Sequence, residues 1–235
     1  MQMSTKKNST IAICLTAILA LSPVASFAQA TATFSGEAVA LRANALGISL
    51  ALSDTGALQS SGGNLSRSLA SVNVLGLASA DALKSTSSGS GTSSQSQSSV
   101  ANLSLLGGLV GAGVVKSNSS ATCSGSQASV SGNAELVGLV AAGQSVVVSN
   151  PNLAISLPGG ISLIVNEQTS SSGANAGSMT VNALHVKGPS IDIVVASATV
   201  RYHLLVTILG AGHGLNTVPQ TCQLHFFRLN QGVTS

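Results

Sequence analysis

The chain has 235 residues, nine of them Lys or Arg, six Asp or Glu and four His, with 44% apolar residues, only 6% charged and no Trp. That charge content excludes a nucleic-acid binder, which needs clustered Lys and Arg to displace counterions from phosphates. The apolar content excludes a disordered chain, which is highly charged and poor in apolar residues.

The N-terminus reads as a cleavable secretory signal. Lys6 and Lys7 form a basic start, Ile11–Leu21 is an uncharged, largely apolar run, Pro23 ends it, and Ala28-Gln29-Ala30 is a small-x-small cleavage site. An uncleaved membrane anchor is the competing reading, but spanning takes about 20 apolar residues. Cys14 is no lipoprotein site, because Ile13 stands where a small residue is needed and Cys14 lies inside the apolar run. The expected organisation is a helical signal peptide over 1–30 and one β-rich extracytoplasmic domain over 31–235. Removing Lys6 and Lys7 leaves seven basic and six acidic residues, so the mature charge is 7 − 6 = +1.

Beyond Ala30, Ser, Thr, Gly and Asn interrupt nearly every helical window. Short alternating or aliphatic runs predict strands instead. They fall within Thr33–Leu52, Leu69–Leu77, Ser99–Leu106, Leu109–Val115, Ala128–Ser131, Ser145–Ser149, Leu153–Leu157, Ile161–Val165, Met179–Val186, Ile191–Leu209 and Gln223–Phe227. Asn150-Pro151-Asn152 reads as a turn and Pro158-Gly159-Gly160 as a hairpin connection. Two segments made almost wholly of Ser, Gly, Thr, Gln, Asn and Ala, 86–99 and 170–177, read as flexible loops. The expected fold is all-β: an antiparallel sandwich or barrel-like domain of many short strands.

A weak repeat relates V-N-V-L-G-L-A-S-A-D-A-L-K-S-T-S-S (72–88) to L-S-L-L-G-G-L-V-G-A-G-V-V-K-S-N-S-S (103–120), aligning Lys84 with Lys116. E-L-V-G-L-V-A-A-G (135–143) is a truncated third copy. Stacked β-solenoid coils are the alternative fold, but similar hairpins are favoured, because a solenoid needs several full copies to bury a core.

Two cysteines survive cleavage, Cys123 and Cys222, and in an oxidising compartment the simplest reading is a disulfide between them. Two buried thiols are the alternative.

Chemistry-bearing constellations are sparse. His185, His203, His213 and His225 match no local metal motif, although three converging imidazoles would hold zinc or copper. Glu37, Asp54, Asp81, Glu135, Glu167 and Asp192 are scattered, and nothing singles out a carboxylate pair. There is no Gly-x-Ser-x-Gly elbow, and Gly210-Ala211-Gly212-His213-Gly214 lacks the Lys-Ser/Thr of a phosphate loop, so it reads as a turn. No catalytic, cofactor-binding or metal residue is assigned.

The chain resembles the choice-of-anchor P family of exported bacterial proteins. The residues that carry the resemblance are S-G-E-A-V-A-L-R-A-N-A-L-G (35–47), L-A-S-V-N-V-L-G-L (69–77), S-S-A-T-C-S-G (119–125), L-P-G-G (157–160), L-I-V-N-E-Q (163–168), V-N-A-L-H-V (181–186) and V-V-A-S-A (194–198). The resemblance implies an extracytoplasmic, surface-associated protein and supplies no catalytic residue. The C-terminal stretch departs from it, with no Leu-Pro-x-Thr-Gly or Pro-Glu-Pro signal and no apolar helix followed by Arg or Lys, so free secretion or periplasmic residence gains weight. Ser235 is not the aromatic that often closes an outer-membrane barrel strand. The expected function is a non-enzymatic structural or adhesive protein. Its partners would be extracellular matrix, polysaccharide or cell-surface components, with no nucleic acid and no transmembrane segment in the mature chain. A secreted hydrolase with an unrecognised carboxylate or His/acid site is the alternative, and a periplasmic metal-binding module is a third.

Overall fold

A computed structural model describes residues 27–45, 47–74, 76–124, 127–173 and 175–209. The residues carrying most of the expected signal peptide, together with Cys222, His213 and His225, lie outside them. Among the described residues fifteen strands are formed, and all their pairings are antiparallel. One sheet contains β1 (Phe27–Ala45), β2 (Ile48–Asp54), β12 (Leu153–Leu157), β13 (Ile161–Ser172), β14 (Ala176–Gly188) and β15 (Ile191–Leu209), in the order β12-β13-β14-β15-β1-β2. The other contains β3 (Gly63–Leu69), β4 (Val72–Val74), β5 (Ala78–Ala80), β6 (Ala82–Ser90), β7 (Ser93–Leu105), β8 (Val110–Ser124), β9 (Gln127–Val137), β10 (Val140–Ala141) and β11 (Gln144–Ser145).

The nine segments of the second sheet are fewer strands than they look. β3 and β4 share one register against β5 and β6, which share one register against β7; β9 and β10 share one register against β8. Each of these pairs is a single long strand with a local break. The result is a two-layer meander, an all-β sandwich that is not closed into a barrel.

The breaks mark a crease. In β7 the buried residues are Ser94, Ser96, Ser98 and Val100, then Leu103 and Leu105; in β8 they are Val110 and Ala112, then Val115, Ser117, Ser119 and Ala121. In β15, Ile193 and Val195 are followed by Ala198, Val200 and Tyr202. Each strand slips by one residue, so its inward-facing set changes parity. The slips lie at one level across each sheet, where the ladder skips the row Ser53–Ala40–Ala196–Ala183–Asn166 in the first and Asp81–Asn102–Gly113–Gly138 in the second. Alternate strands take a left-handed residue there, with φ of 51° at Ser53, 49° at Ala196, 53° at Asn166, 50° at Asn102 and 66° at Gly138.

The crease explains why several strands run longer than the sequence runs that predict them. A one-residue slip in alternation reads as the end of a strand. The first repeat pair is indeed two hairpins, β4–β5 and β7–β8, whose turns contain Gly76 and Gly107 with φ of 68° and 67°. The third copy is not a hairpin, since its Gly138 lies in the crease. Pro158-Gly159-Gly160 joins β12 to β13 with Leu157 paired to Ile161, as expected of a hairpin connection.

One expected loop is strand almost throughout, and the other is strand at both its ends. Residues 86–99 form most of the β6–β7 hairpin, with only Gly91 and Thr92 between the strands. Of 170–177, residues 170–172 end β13 and 176–177 begin β14, paired as Ser172↔Gly177. The reason is packing against small residues. On the inner face Ser85↔Ser98↔Ser117 and Ser87↔Ser96↔Ser119 form two cross-strand rows, all six at most 1% exposed. Opposite them stands Gly36 of β1, where a Cβ would lie 2.4 Å from Ser96 Oγ and 2.7 Å from Ser87 Oγ. The sheets approach so closely here that a serine fills the space a Val or Leu would take elsewhere.

This serine belt separates two hydrophobic clusters. The larger includes Leu41, Leu83, Val100, Leu105, Val115, Leu163, Leu184 and Ile193. The smaller is built on Phe34, Met179, Val181, Val200 and Tyr202.

Within the belt, Ser85 and Ser98 share a hydrogen bond of 3.0 Å and Ser87 and Ser96 one of 3.1 Å, whereas Ser117 Oγ and Ser119 Oγ are buried without a partner. A buried orphan hydroxyl costs about 1–3 kcal/mol. Ser119→Ala should therefore raise the stability by about 1 kcal/mol. Ser96→Ala orphans Ser87 and should lower it by a similar amount. Equal shifts in the same direction on urea unfolding would contradict this account of the belt.

The start of β1 differs from the signal-peptide expectation. Ala28 and Ala30 pair with Ile208 and Val206, so the expected cleavage site is strand backbone in the uncut chain. The expected cleavage after Ala30 would remove residues 27–30 from β1 and leave the pairing that starts at Thr31↔Leu205.

Candidate contact face and the histidine cluster

The outer face of the second sheet is built by the same alternation that buries the serines. Asn64↔Ser88↔Gln95↔Ser120↔Ser131 make one row across five strands, and Ser66↔Thr86↔Gln97↔Asn118↔Asn133 make the next. Ser90↔Ser93↔Thr122↔Ser129 extend the array on one side. Neighbouring side chains in such a row stand about 4.8 Å apart, and successive rows about 6.8 Å apart. Every side chain in these three rows is a hydroxyl or an amide, and none is charged.

Some of the groups bond to one another. Gln95 Nε2 donates to Asn118 Oδ1 at 3.3 Å, Ser120 and Ser131 share 2.8 Å, and Thr122 and Ser129 share 3.3 Å. A shallow depression of about 310 Å3 crosses the face, lined by Asn64, Ser88, Gly89, Ser93, Ser94, Gln95, Ser120 and Thr122. The charges begin one row further on, Ser68↔Lys84↔Ser99↔Lys116↔Glu135, where Lys116 and Glu135 form an exposed ion pair of 3.3 Å. Lys84 and Lys116, aligned by the sequence repeat, thus share one row. No aromatic ring lies on this face among the described residues; Phe34 and Tyr202 are buried, with ring centroids 6.3 Å apart. The face offers hydrogen bonds and no stacking platform.

The outer face of the first sheet carries a polar chain at its crease. Ser197 Oγ donates to Asn182 Oδ1 at 2.7 Å, and Asn182 Nδ2 donates to Glu167 Oε2 at 2.6 Å. His185 Nδ1 lies 2.7 Å from the same Glu167 oxygen, and its Nε2 lies 2.9 Å from Asp192 Oδ1. Lys187 Nζ stands 3.6 Å from Glu167 Oε1. The hairpin register explains the assembly: Glu167 pairs with Asn182, Asn182 with Ser197 and Lys187 with Asp192, while the slip at Ala183 turns His185 onto the same face.

An ionised carboxylate only accepts, so both contacts of His185 are hydrogen bonds when each ring nitrogen carries a proton. An imidazole held in this way has no free lone pair to act as a base or a metal ligand. Burial pushes the Glu167 carboxyl up, but hydrogen bonds from Asn182 and His185 and the charges of His185 and Lys187 outweigh it, and its pKa lies below the ordinary value.

The sign follows by linkage. A depressed carboxylate pKa contributes stability above the unfolded value of about 4.3. That contribution is lost as pH falls through the lower folded value. Glu167→Gln should remove this part of the acid sensitivity and lower the stability at pH 7 by about 1–2 kcal/mol. Urea unfolding of both proteins at pH 7 and pH 3 reads it, and a Gln variant that keeps the wild-type pH slope would be the contrary result.

The other expected residues are dispersed. Glu37 pairs with Arg42 at 3.1 Å, Asp54 accepts from the Gly56 backbone N–H, and Asp81 accepts from Asn102. His203 is exposed near the end of β15. No group of three His, Cys, Asp or Glu among the described residues is placed to hold a metal ion. Cys123, half-buried in β8, packs against the smaller core cluster, and its expected partner Cys222 lies outside the described residues. No helix among the described residues is long and apolar enough to cross a membrane. No family model, no curated protein and no solved structure matches the chain.

Proposed function

We propose that the protein is an exported, non-enzymatic surface or secreted protein that adheres through the outer face of its second sheet to a neutral, hydroxyl-bearing polymer of the cell surface or matrix. The observation that carries this reading is the uncharged grid of hydroxyls and amides over three rows of that sheet. A neutral polysaccharide presents hydroxyls at short repeats, and a row of hydroxyls and amides, each able to donate and to accept, meets them without the desolvation cost of buried charge. The secretory pattern of the leader and the resemblance to the choice-of-anchor P family support the same reading. A mature N-terminus at Thr31, read by mass spectrometry of the exported chain, is the companion expectation.

Co-sedimentation with insoluble cellulose and chitin tests the contact. The triple variant Gln95→Ala, Gln97→Ala and Asn118→Ala should lose about tenfold in bound fraction while melting like wild type. A wild-type chain that sediments with neither polymer, or a triple variant that sediments as well as wild type, would sink the proposal.

The Cys123–Cys222 bridge belongs to the same extracytoplasmic reading. Closing a loop of about 100 residues stabilises by up to about 4.7 kcal/mol in the chain-entropy model. Reductant should then lower the melting temperature, and identical melting with and without it would show that the two are not joined.

A further inference from the structure

The longest edge among the described strands, that of β9, lacks the devices that block another strand on several of the others. β12 is five residues long and follows Pro151, and β11 has two residues. β3 has seven residues, and Ser53 Oγ takes its Arg67 carbonyl at 2.9 Å. The exposed end of β13 starts at the left-handed Asn166, and Asn152 Oδ1 accepts the Gln168 backbone N–H at 2.8 Å. Residues 27–35 of β1 are open as well, but they border chain that lies outside the described residues.

β9 is different. All eleven of its residues pair with β8 in one unbroken register, and on its other side it pairs with no strand among the described residues. It contains no proline, no lysine and no bulge. Its single charge, Glu135, is held by Lys116. Short, charged, kinked or proline-bearing edges are the usual protection against strand addition, and of these β9 has only the single paired charge of Glu135.

We infer that β9 pairs antiparallel with β9 of a second copy of this chain. The strand is complementary to itself. Its exposed residues are the odd ones, Gln127, Ser129, Ser131, Asn133, Glu135 and Val137, and its half-buried residues are the even ones, Ala128, Val130, Gly132, Ala134 and Leu136. Antiparallel pairing about Gly132 sets Ser131 opposite Asn133 of the second copy and Val130 opposite Ala134 of it. Between Ser129 and Glu135 polar then meets polar on the outer face, and apolar meets apolar on the inner one; at the two ends Gln127 meets Val137. The two-fold axis closes the assembly at a dimer. Gly132, whose missing Cβ leaves room for Val181 and Met179 of the other sheet, sits at the centre of the seam. This inference stands apart from the polymer-contact reading, because self-association is read with no polymer present.

Light scattering on the purified chain tests it, with Ser131→Lys/Asn133→Lys as the variant. Both positions are exposed, so the fold should hold, read as an unchanged far-UV circular-dichroism spectrum. In the dimer, each new lysine would face the other across the seam. Wild type should be a dimer at micromolar concentration, and the variant should raise the dimer Kd by about tenfold or more. A wild type that stays monomeric up to about 100 µM, or a variant that dimerises as well as wild type, would overturn the inference.

Discussion

Gly36→Val should destabilise the protein by about 3 kcal/mol, the upper part of the range for overpacking a filled interior. Even a single Cβ at this position would meet Ser96 Oγ at 2.4 Å and Ser87 Oγ at 2.7 Å, with the Thr199 carbonyl at 3.4 Å. Val adds two further methyls, and both serines are held from behind by their own strands, so the sheets themselves must part. A domain of this size loses about 2–4 °C of melting temperature per kcal/mol, which puts the fall at about 6–12 °C. The assignment has an internal control. Gly36→Ala alone should cost less, and adding Ser96→Ala should restore part of the loss, because the nearest clashing oxygen is gone. If Gly36→Val melts with the wild type, the sheets are further apart at the belt than described.

Leu184→Ala should cost a comparable amount, about 2–5 kcal/mol, for a different reason. Leu184 is fully buried in the larger cluster, one residue beyond the slip at Ala183. Truncation there leaves a void lined by aliphatic side chains from both sheets, and neighbours on paired strands cannot collapse into it. The loss should appear as one cooperative transition and not as the early melting of half the molecule. β1, β7, β8, β14 and β15 each run through the crease and contribute buried residues on both sides of it. Chemical unfolding followed by both circular dichroism and Tyr202 fluorescence, in the smaller cluster, reads this. Transitions that separate by probe would show that the two clusters unfold independently.

The all-β character was legible in the sequence wherever apolar and polar residues alternate cleanly. Leu153–Leu157 and Ile161–Val165 are strands of a hairpin, as their spacing around Pro158-Gly159-Gly160 predicts. The serine tracts were not legible by hydropathy, because both faces of those strands are hydrophilic. Their period of two lies in size: Ser94, Ser96 and Ser98 point inward while Gln95 and Gln97 point outward. Only the matching run of small residues in β1, Gly36 and Ala38, gives the inward serines a surface to pack on.

The histidine cluster was hidden for another reason. Glu167, His185 and Asp192 are far apart in the chain, and only the register of β13, β14 and β15 together with the slip at Ala183 makes them neighbours. Nothing in their spacing along the chain marks either carboxylate as a partner of His185.

The crease also restricts how this chain can change in length. Losing one amino acid at that level from a single strand, Asn102 of β7 for example, would restore plain alternation and swing one end of the strand inside out relative to its neighbours. Such a deletion becomes tolerable only if adjacent strands shed a residue at the same height. Genes descended from a common ancestor with this protein should therefore gain or lose residues there in concert across a sheet, and singly only at the turns.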